Sequence, residues 1–391
     1  MERNSICKIF GTDYREMTKE LLQRADLIGE IHKKRALVRG RDAGQGKHAG
    51  RGRDAAQASA DRPFTVGIKP NLVCPTPASF GATTHTEVVA GIIEYLAEGG
   101  ISDVLIAEGS WVGDRTSDAY EYCGYRELCE TYGVPFVDTQ KEKWHSVNAA
   151  GLKLDITDVC DRIDFLINVP VLKGHCQTRM TCALKNMKGL LPNREKRHFH
   201  AMGLHKPIAH LNTAIRQDFI VVDHICGDLD FEEGGRPVVR NCVMAALDPV
   251  LVDSYACRLL NLTPDDVPYV RMAERLGVGS ADLDVAEIVL LGEDGSDELP
   301  LARRVLDVSY AVDEVDSCSA CYSSLIGALD RLKEEGLLEA LTVPVGIGQG
   351  MQGKRGKLGV GRCTGGFDFS IPGCPPDEEA VYEGLRRFLR A

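Results

Sequence analysis

Between residues 63 and 262, short apolar runs alternate with longer stretches whose apolar residues recur at helical spacing. FTVGI (64–68), DVLIAEG (103–109), VPFVD (134–138), DFLINVPVL (164–172) and FIVVDHI (219–225) have the continuous apolar character of strands buried on both faces. Between them HTEVVAGIIEYLAEGG (85–100), YEYCGYRELCETYG (120–133), HKPIAHLNTAIRQ (205–217) and DPVLVDSYACRLLNL (248–262) predict helices, and 146–156 predicts a hairpin. Strands and helices alternating at this spacing predict an α/β fold, a largely parallel sheet flanked by helices.

The two ends read differently. Residues 14–36 predict an amphipathic helix with a basic end that suits its dipole. The next segment, RGRDAGQGKHAGRGRDAAQASADR (39–62), has no apolar periodicity and reads as a flexible basic insertion. Its arginines are interleaved with aspartates and no aromatic is available to stack on a base, so a solvated loop is favoured over an RNA-binding arm. From about residue 300 a smaller unit is expected: a helix over 316–341, a strand running into a Gly-rich loop (343–350), a cysteine-bearing stretch (363–376) and a final helix (377–390). The expected organisation is therefore 1–62, helix plus insertion; 63–299, the α/β domain; and 300–391, a small α/β cysteine-rich module.

At 391 residues the chain is long enough for more than one core. No apolar run approaches the roughly 20 residues needed to cross a bilayer, and MERNSICKIFGTDYREM lacks the pattern of a signal peptide. A cytoplasmic protein is expected, with no membrane partner. The net charge of −11 argues against a nucleic-acid partner, which would require a basic face. Fourteen cysteines are the compositional oddity. In a reducing compartment such residues are metal ligands, catalytic thiols or small buried hydrophobes. Cys7, Cys123, Cys129, Cys160, Cys242 and Cys257 stand singly in apolar or helical contexts and read as the last kind.

Cys318, Cys321, Cys363 and Cys374 form a different group. CxxC in the first turn of a helix turns two thiols to one side, where the dipole is expected to lower their pKa. Cys363 follows a loop rich in Gly and Lys, and Cys374 stands in IPGCPP, stiffened by prolines on both sides. Rigid thiolates framed by small residues with free backbone N–H groups suit a [4Fe–4S] cluster. Four thiolates also suit tetrahedral zinc, and CxxC alone suits a redox dithiol. The second pair is unlike the second CxxC of a zinc ribbon, which favours iron–sulfur.

Three polar segments follow predicted strands, where open α/β sheets bind ligands: KPNLVCP (69–75), EGSW (108–111) and the stretch from Val169 to Asn193. Lys69, Asn71, Glu108, Lys173, Lys185, Asn186 and Lys188 are the candidates for holding an anionic small molecule, because lysines at the ends of apolar strands are not a solvated face. His85, His175 and Lys173 are the candidate proton-transfer groups. Six of the ten histidines lie between positions 175 and 224. HFHAMGLH suggests a mononuclear metal site, although its spacing is not HExxH. GxGxxG after the first strand, GxxxxGK[ST] and GxSxG are all absent.

IKPNLV, GATTHTEVV, VPVLKGHCQT, ALKNMKGLLPN, FHAMGLHKPIAHLN and ALDPVLVDSYA occur in this order, and together they resemble the family called domain of unknown function 362 over roughly residues 64–275. Thr86, where that pattern leads one to expect proline, and the 39–62 insertion depart from it. The resemblance implies an iron–sulfur-associated protein of mostly anaerobic microbes, with CSAC…GRC…GCPP as a cluster-binding extension. In fold and composition alone the first lobe is also distantly similar to nickel-pincer lactate racemases. The reading that follows is an oxidoreductase-like, cluster-assisted enzyme acting on an anionic small molecule. A non-catalytic electron-transfer or metal-handling protein, and a ligand-binding protein with structural zinc, are the alternatives, and an electron-transfer protein is the expected macromolecular partner.

Overall fold

The computed structural model describes residues 1–45, 63–292 and 295–390. In chain order its strands are β1 (Ser5–Phe10), β2 (Val66–Lys69), β3 (Val104–Glu108), β4 (Phe136–Asp138), β5 (Trp144–Ala149), β6 (Leu152–Thr157), β7 (Phe165–Asn168) and β8 (Lys173–His175). There follow β9 (Arg179–Thr181), β10 (Phe219–Asp228), β11 (Pro237–Ala246), β12 (Glu287–Leu291), β13 (Val312–Glu314), β14 (Val345–Ile347), β15 (Leu358–Val360) and β16 (Phe369–Ile371). Eight of them make the main sheet, in the order β12-β1-β11-β10-β7-β2-β3-β4. β11 runs against both its neighbours, and every other pair is parallel.

The apolar runs are buried on both faces, as a parallel sheet requires. Along β10, Phe219 and Val221 enter one apolar cluster while Ile220 and Val222 enter the other. Helices Tyr14–Arg24 and Thr86–Glu98 cover the first face, through residues such as Leu21, Leu22, Val88 and Ile92. Helices His205–Ala214, Pro249–Leu259 and Pro268–Arg275 cover the second, through Ile208, Val250, Leu251 and Tyr269. Cys7, Cys129, Cys242 and Cys257 are buried within these clusters.

The N-terminal segment differs from the sequence expectation. The single helix over 14–36 is two helices, broken where Asp26 takes a left-handed conformation (φ 57°) and accepts from the Gly29 N–H at 3.2 Å. The second helix, Leu27–Gln45, takes in residues 39–45 of the supposed insertion; Leu, Ala, Arg and Gln are good helix formers, and they outweigh the local glycines. The rest of that insertion, 46–62, lies outside the described residues. The predicted helix over 120–133 is likewise two short helices, Thr116–Tyr122 and Tyr125–Tyr132, with Gly124 left-handed between them (φ 79°). β1 also escaped the periodicity, since a single six-residue run gives no repeat to detect, yet it pairs on both sides with β11 and β12.

The last part of the chain builds a second, four-stranded parallel sheet, β13-β14-β15-β16, packed with helices Ser319–Glu334 and Glu378–Arg390. Its apolar cluster includes Cys176 and Phe231 from the main domain. The Gln177 amide crosses the same junction: Nε2 donates to Ser317 O at 3.1 Å and to Ser317 Oγ at 2.7 Å, and Oε1 accepts from Ser319 Oγ at 2.8 Å. Arg304 pairs with Asp330 at 2.7 Å and lies over the Phe231 ring.

Gln177→Ala removes three hydrogen bonds across this junction, at a cost of about 1–3 kcal/mol to the docked arrangement. Hydrogen exchange of the amides around 317–323 should then quicken while the main sheet stays protected. Unchanged exchange at those amides would show that docking does not depend on Gln177.

Candidate functional site

A cavity of about 630 Å³ opens between the two units. One wall is built from the polar segments that follow β3 and β9, together with helix Asn193–Ala201. The opposite wall carries Cys318, Cys321, Cys363 and Cys374 with Gln349, Gln352 and Arg362. Asn71, Glu108, Lys185, Asn186 and Lys188 from the sequence expectation all line it. So do Trp111, Lys196, Arg197, His200 and Glu232, which sequence reasoning did not single out.

Beneath the cavity floor the ends of β2 and β3 bring Lys69 and Glu108 together as a fully buried ion pair. Burial pushes the Lys69 ammonium down and the Glu108 carboxyl up, and each is the other's main compensation. Lys69 also donates to the Pro70 carbonyl at 2.9 Å, and Glu108 accepts from the Gly109 N–H at 2.8 Å. Gly189 is required here, because a Cβ would stand 2.1 Å from Glu108 Oε1 and 2.6 Å from Lys69 Nζ. Lys196 donates to the carbonyls of Gly109 and Ser110 at 2.9 and 2.8 Å, and burial lowers its pKa to about 8.

An amide chain holds the centre. Asn71 Nδ2 donates to Asn186 Oδ1 at 2.8 Å, and Asn186 Nδ2 donates to Asn168 Oδ1 at 2.7 Å. Asn168 Nδ2 donates in turn to Gln217 Oε1 at 2.6 Å. Glu232 Oε2 receives Lys185 Nζ at 2.8 Å and stands 3.0 Å from His175 Nε2. His175 Nδ1 accepts the backbone N–H groups of Gln177 and Thr178 at 3.0 and 3.1 Å, which leaves the proton on Nε2, facing the carboxylate. Burial lowers the His175 pKa to about 4, so the ring is neutral, while His175 and Lys185 hold the Glu232 carboxyl well below its usual range against the effect of burial. Lys188 differs from its neighbours. Its ammonium has no hydrogen-bond or ion-pair partner among the described residues. Burial first, and Lys185 next, lower its pKa to about 7.

On the facing wall Cys318 caps the N-terminus of helix Ser319–Glu334, and Cys321 lies in its first turn. Gln349 Nε2 donates to Cys318 Sγ at 3.6 Å, and Gln352 Nε2 to Cys363 Sγ at 3.5 Å. Gly361, whose φ of 89° favours glycine, lies beside Cys321, with Sγ 3.9 Å from where a Cβ would be. The expected lowering of the helix-terminal thiols does not occur: burial, and then the other three thiols, push Cys321 up to about 12 and raise Cys318 as well. The four thiols ring the cavity. Among the described residues no three His, Cys, Asp or Glu side chains gather closely enough to hold a single metal ion.

Four expected site residues stand apart from the cavity lining: Lys69, beneath the floor as described, and His175, Lys173 and His85. His175 is buried behind Glu232 and positions it. Lys173 is fully buried and donates to Asn71 Oδ1 at 3.2 Å, to the Glu232 carbonyl at 2.7 Å and to the Ala82 carbonyl. Its three donors are occupied and it acts as a strut. His85 lies outside the cavity lining and pairs through Nδ1 with Asp223 at 2.8 Å, its Nε2 4.0 Å from Cys226 Sγ. The anion-binding lysines expected at 69 and 173 therefore support the site from below, whereas 185 and 188 reach the opening. HFHAMGLH does not converge either: His198 pairs with Glu195 at 3.2 Å, His200 Nδ1 donates to Ser317 O at 3.1 Å, and His205 stacks on Tyr269. The basic pair Lys196–Arg197 in the same segment was the signal that reading passed over.

Residues 66–258 match the family model described as Domain of unknown function (DUF362). The chain is 26% identical over 224 residues to thylakoid-associated protein sll1697 of Synechocystis sp., a match spanning 54% of this chain and 68% of that one. Its fold is similar to the lactate racemase apoprotein of Thermoanaerobacterium thermosaccharolyticum, with a TM-score of 0.39 and 12% identity over 66% of this chain. The match spans 57% of the racemase, little more than half its length. Among the described residues no helix is long and apolar enough to cross a membrane.

Two measurements test these assignments. Lys69→Met strands the Glu108 carboxylate in the interior and should cost about 3–5 kcal/mol in urea denaturation, much of it recovered by adding Glu108→Gln. A small effect in the single variant would show that the pair is not buried as described. The His85 pair gives a pH signature. Burial opposes its imidazolium, but Asp223 prevails and raises the pKa to about 10 from 6.5. The pair's contribution is therefore full below about pH 6.5 and is lost as pH rises through about 10. His85→Gln should lower the unfolding free energy at pH ~6 by on the order of a few kcal/mol, with the gap from wild type closing towards pH ~10. A gap independent of pH would show that His85 is not charged in the folded protein.

Proposed function

We propose that this is an iron–sulfur protein in which Cys318, Cys321, Cys363 and Cys374 hold one [4Fe–4S] cluster at the wall of an anion-binding cavity. The observation that carries the reading is the sharing of one cavity by all four thiols and by Lys185, Lys188, Lys196 and Arg197. Four thiols lining one opening, no three of them at single-ion spacing among the described residues, suit a cubane, whose four iron corners are spread apart. A tetrahedral zinc would draw four sulfurs to about 2.3 Å of one point. Gln349 and Gln352 already direct N–H donors at two of the sulfurs, the kind of contact that tunes a cluster's potential. When bound, the cluster supplies one-electron chemistry or Lewis acidity.

The chain's own residues supply the rest. Lys185, Lys196 and Arg197 would neutralise a carboxylate or phosphate, with Asn71 and Asn186 orienting it. Glu232 holds Lys185 in place, and His175 fixes Glu232 in turn. His200 gives its Nδ1 proton to the Ser317 carbonyl, so Nε2 remains as a proton acceptor in the cavity lining. This supports an oxidoreductase-like enzyme acting on a small anion in a reducing, cytoplasm-like compartment. Cys374 is exposed, which favours an electron-transfer protein as the partner that exchanges electrons with the site.

Protein purified without oxygen should be brown, with about four iron and four sulfide per chain. Cys363→Ala or Cys374→Ala should remove the colour while the main domain still melts cooperatively. One equivalent of zinc with no sulfide would overturn the cluster and leave a structural zinc site.

A further inference from the structure

Five lysines stand in or beneath the cavity, and four are committed. Lys69 is paired with Glu108, Lys173 with Asn71 and two carbonyls, Lys185 with Glu232 and Thr181, and Lys196 with two carbonyls. Lys188 alone among them has no partner among the described residues; it is half-buried and lines the same cavity as Lys185 and Lys196. Glu232, the nearby carboxylate, is already bonded to Lys185, and a half-buried ammonium near two other cations, with no acceptor in contact, is unfavourable. A neutral amine in the same place costs little, and it is a nucleophile.

We propose that Lys188 is a catalytic nucleophile that condenses with the carbonyl group of a small anionic oxo compound to form a Schiff base. This deepens the anion-cavity reading and rests on it. The geometry supplies each part. Lys185, Lys196 and Arg197 line the same cavity and would hold the anionic end, leaving the carbonyl carbon to Lys188. The amine nitrogen forms a bond to that carbon; the carbon–oxygen bond then breaks, and the oxygen leaves as water with both amine protons. Nothing is oxidised or reduced. His200 Nε2, free to accept, is the cavity group placed to carry the proton between nitrogen and oxygen. The pKa near 7 agrees with an amine that is substantially neutral at physiological pH.

The test uses the full chain with its metal centre, purified without oxygen. It is incubated with cyanoborohydride and either glyoxylate, as the carboxylate arm, or glycolaldehyde phosphate, as the phosphate arm, and then peptide-mapped. The expected result is one reduced adduct, on Lys188, formed at least about tenfold faster than at any other lysine. Oxalate or inorganic phosphate, which carry no ketone or aldehyde carbon, should slow it. The faster arm identifies the anionic group. Lys188→Met removes the amine without adding a charge and should abolish the adduct, and mapping of the wild-type chain gives the same answer should that variant fail to fold. Adducts spread over surface lysines, an adduct centred on Lys185 or Lys196, or none with either probe overturns the proposal. Oxalate quenching of Trp111 emission, read in the same samples, separates the two failures. If quenching persists without an adduct, the anion cavity stands; if both are lost, the cavity reading falls as well.

Discussion

Ammonium groups buried at the carboxyl edge of the main sheet are the constraint to which the rest of the molecule answers. A charge taken out of water is tolerated only with an acceptor in contact, and each lysine on this edge accounts for part of the surrounding architecture. Lys69 at the end of β2 requires Glu108 at the end of β3, and that pair requires Gly189 in the segment above it. Lys173 fixes the Asn71 side chain and the backbone at Ala82 and Glu232. Lys196 draws helix Asn193–Ala201 down onto Gly109 and Ser110. The cavity is the space left above these struts, and its walls are rigid because their polar groups are mutually committed.

The second unit closes that space. Its docking combines an apolar contact, through Cys176 and Phe231, with the amide of Gln177 and the ring of His200, both of which meet Ser317. Ser317 directly precedes Cys318, so the contacts that dock the module also place the first thiol over the lysine wall. Docking and site assembly are thus one event, and a change at the junction alters the distance between the cysteine wall and the anion wall.

The histidines show how burial reassigns a residue type. His85 and His175 were both candidate proton carriers, yet each is committed to one carboxylate, and the two are driven in opposite directions. His85 is charged because Asp223 outweighs burial, whereas His175 is neutral because burial outweighs Glu232. Neither lines the cavity opening. The ring that does, His200, belongs to a cluster that sequence reading had considered only for a single metal ion.

The sequence by itself determined the α/β class and the helices that flank the sheet, because these follow from local period and from runs of apolar residues. It also determined which four cysteines stand together, since a CxxC turn and a proline-framed cysteine are local features. Asn71 and Glu108 lie at the ends of neighbouring strands β2 and β3, a position legible in the sequence, whereas Lys185, Asn186 and Lys188 reach the same cavity from the segment after the separate β8–β9 pair. Tertiary structure decided the rest. The pairing of β1 depends on strands distant in the chain. Whether a lysine is a strut or a ligand group depends on which acceptor lies within 3 Å or so, and nothing in the order of residues encodes that. For the same reason Lys173 and Lys188, so alike in sequence context, end as a fully bonded strut and an unpartnered amine.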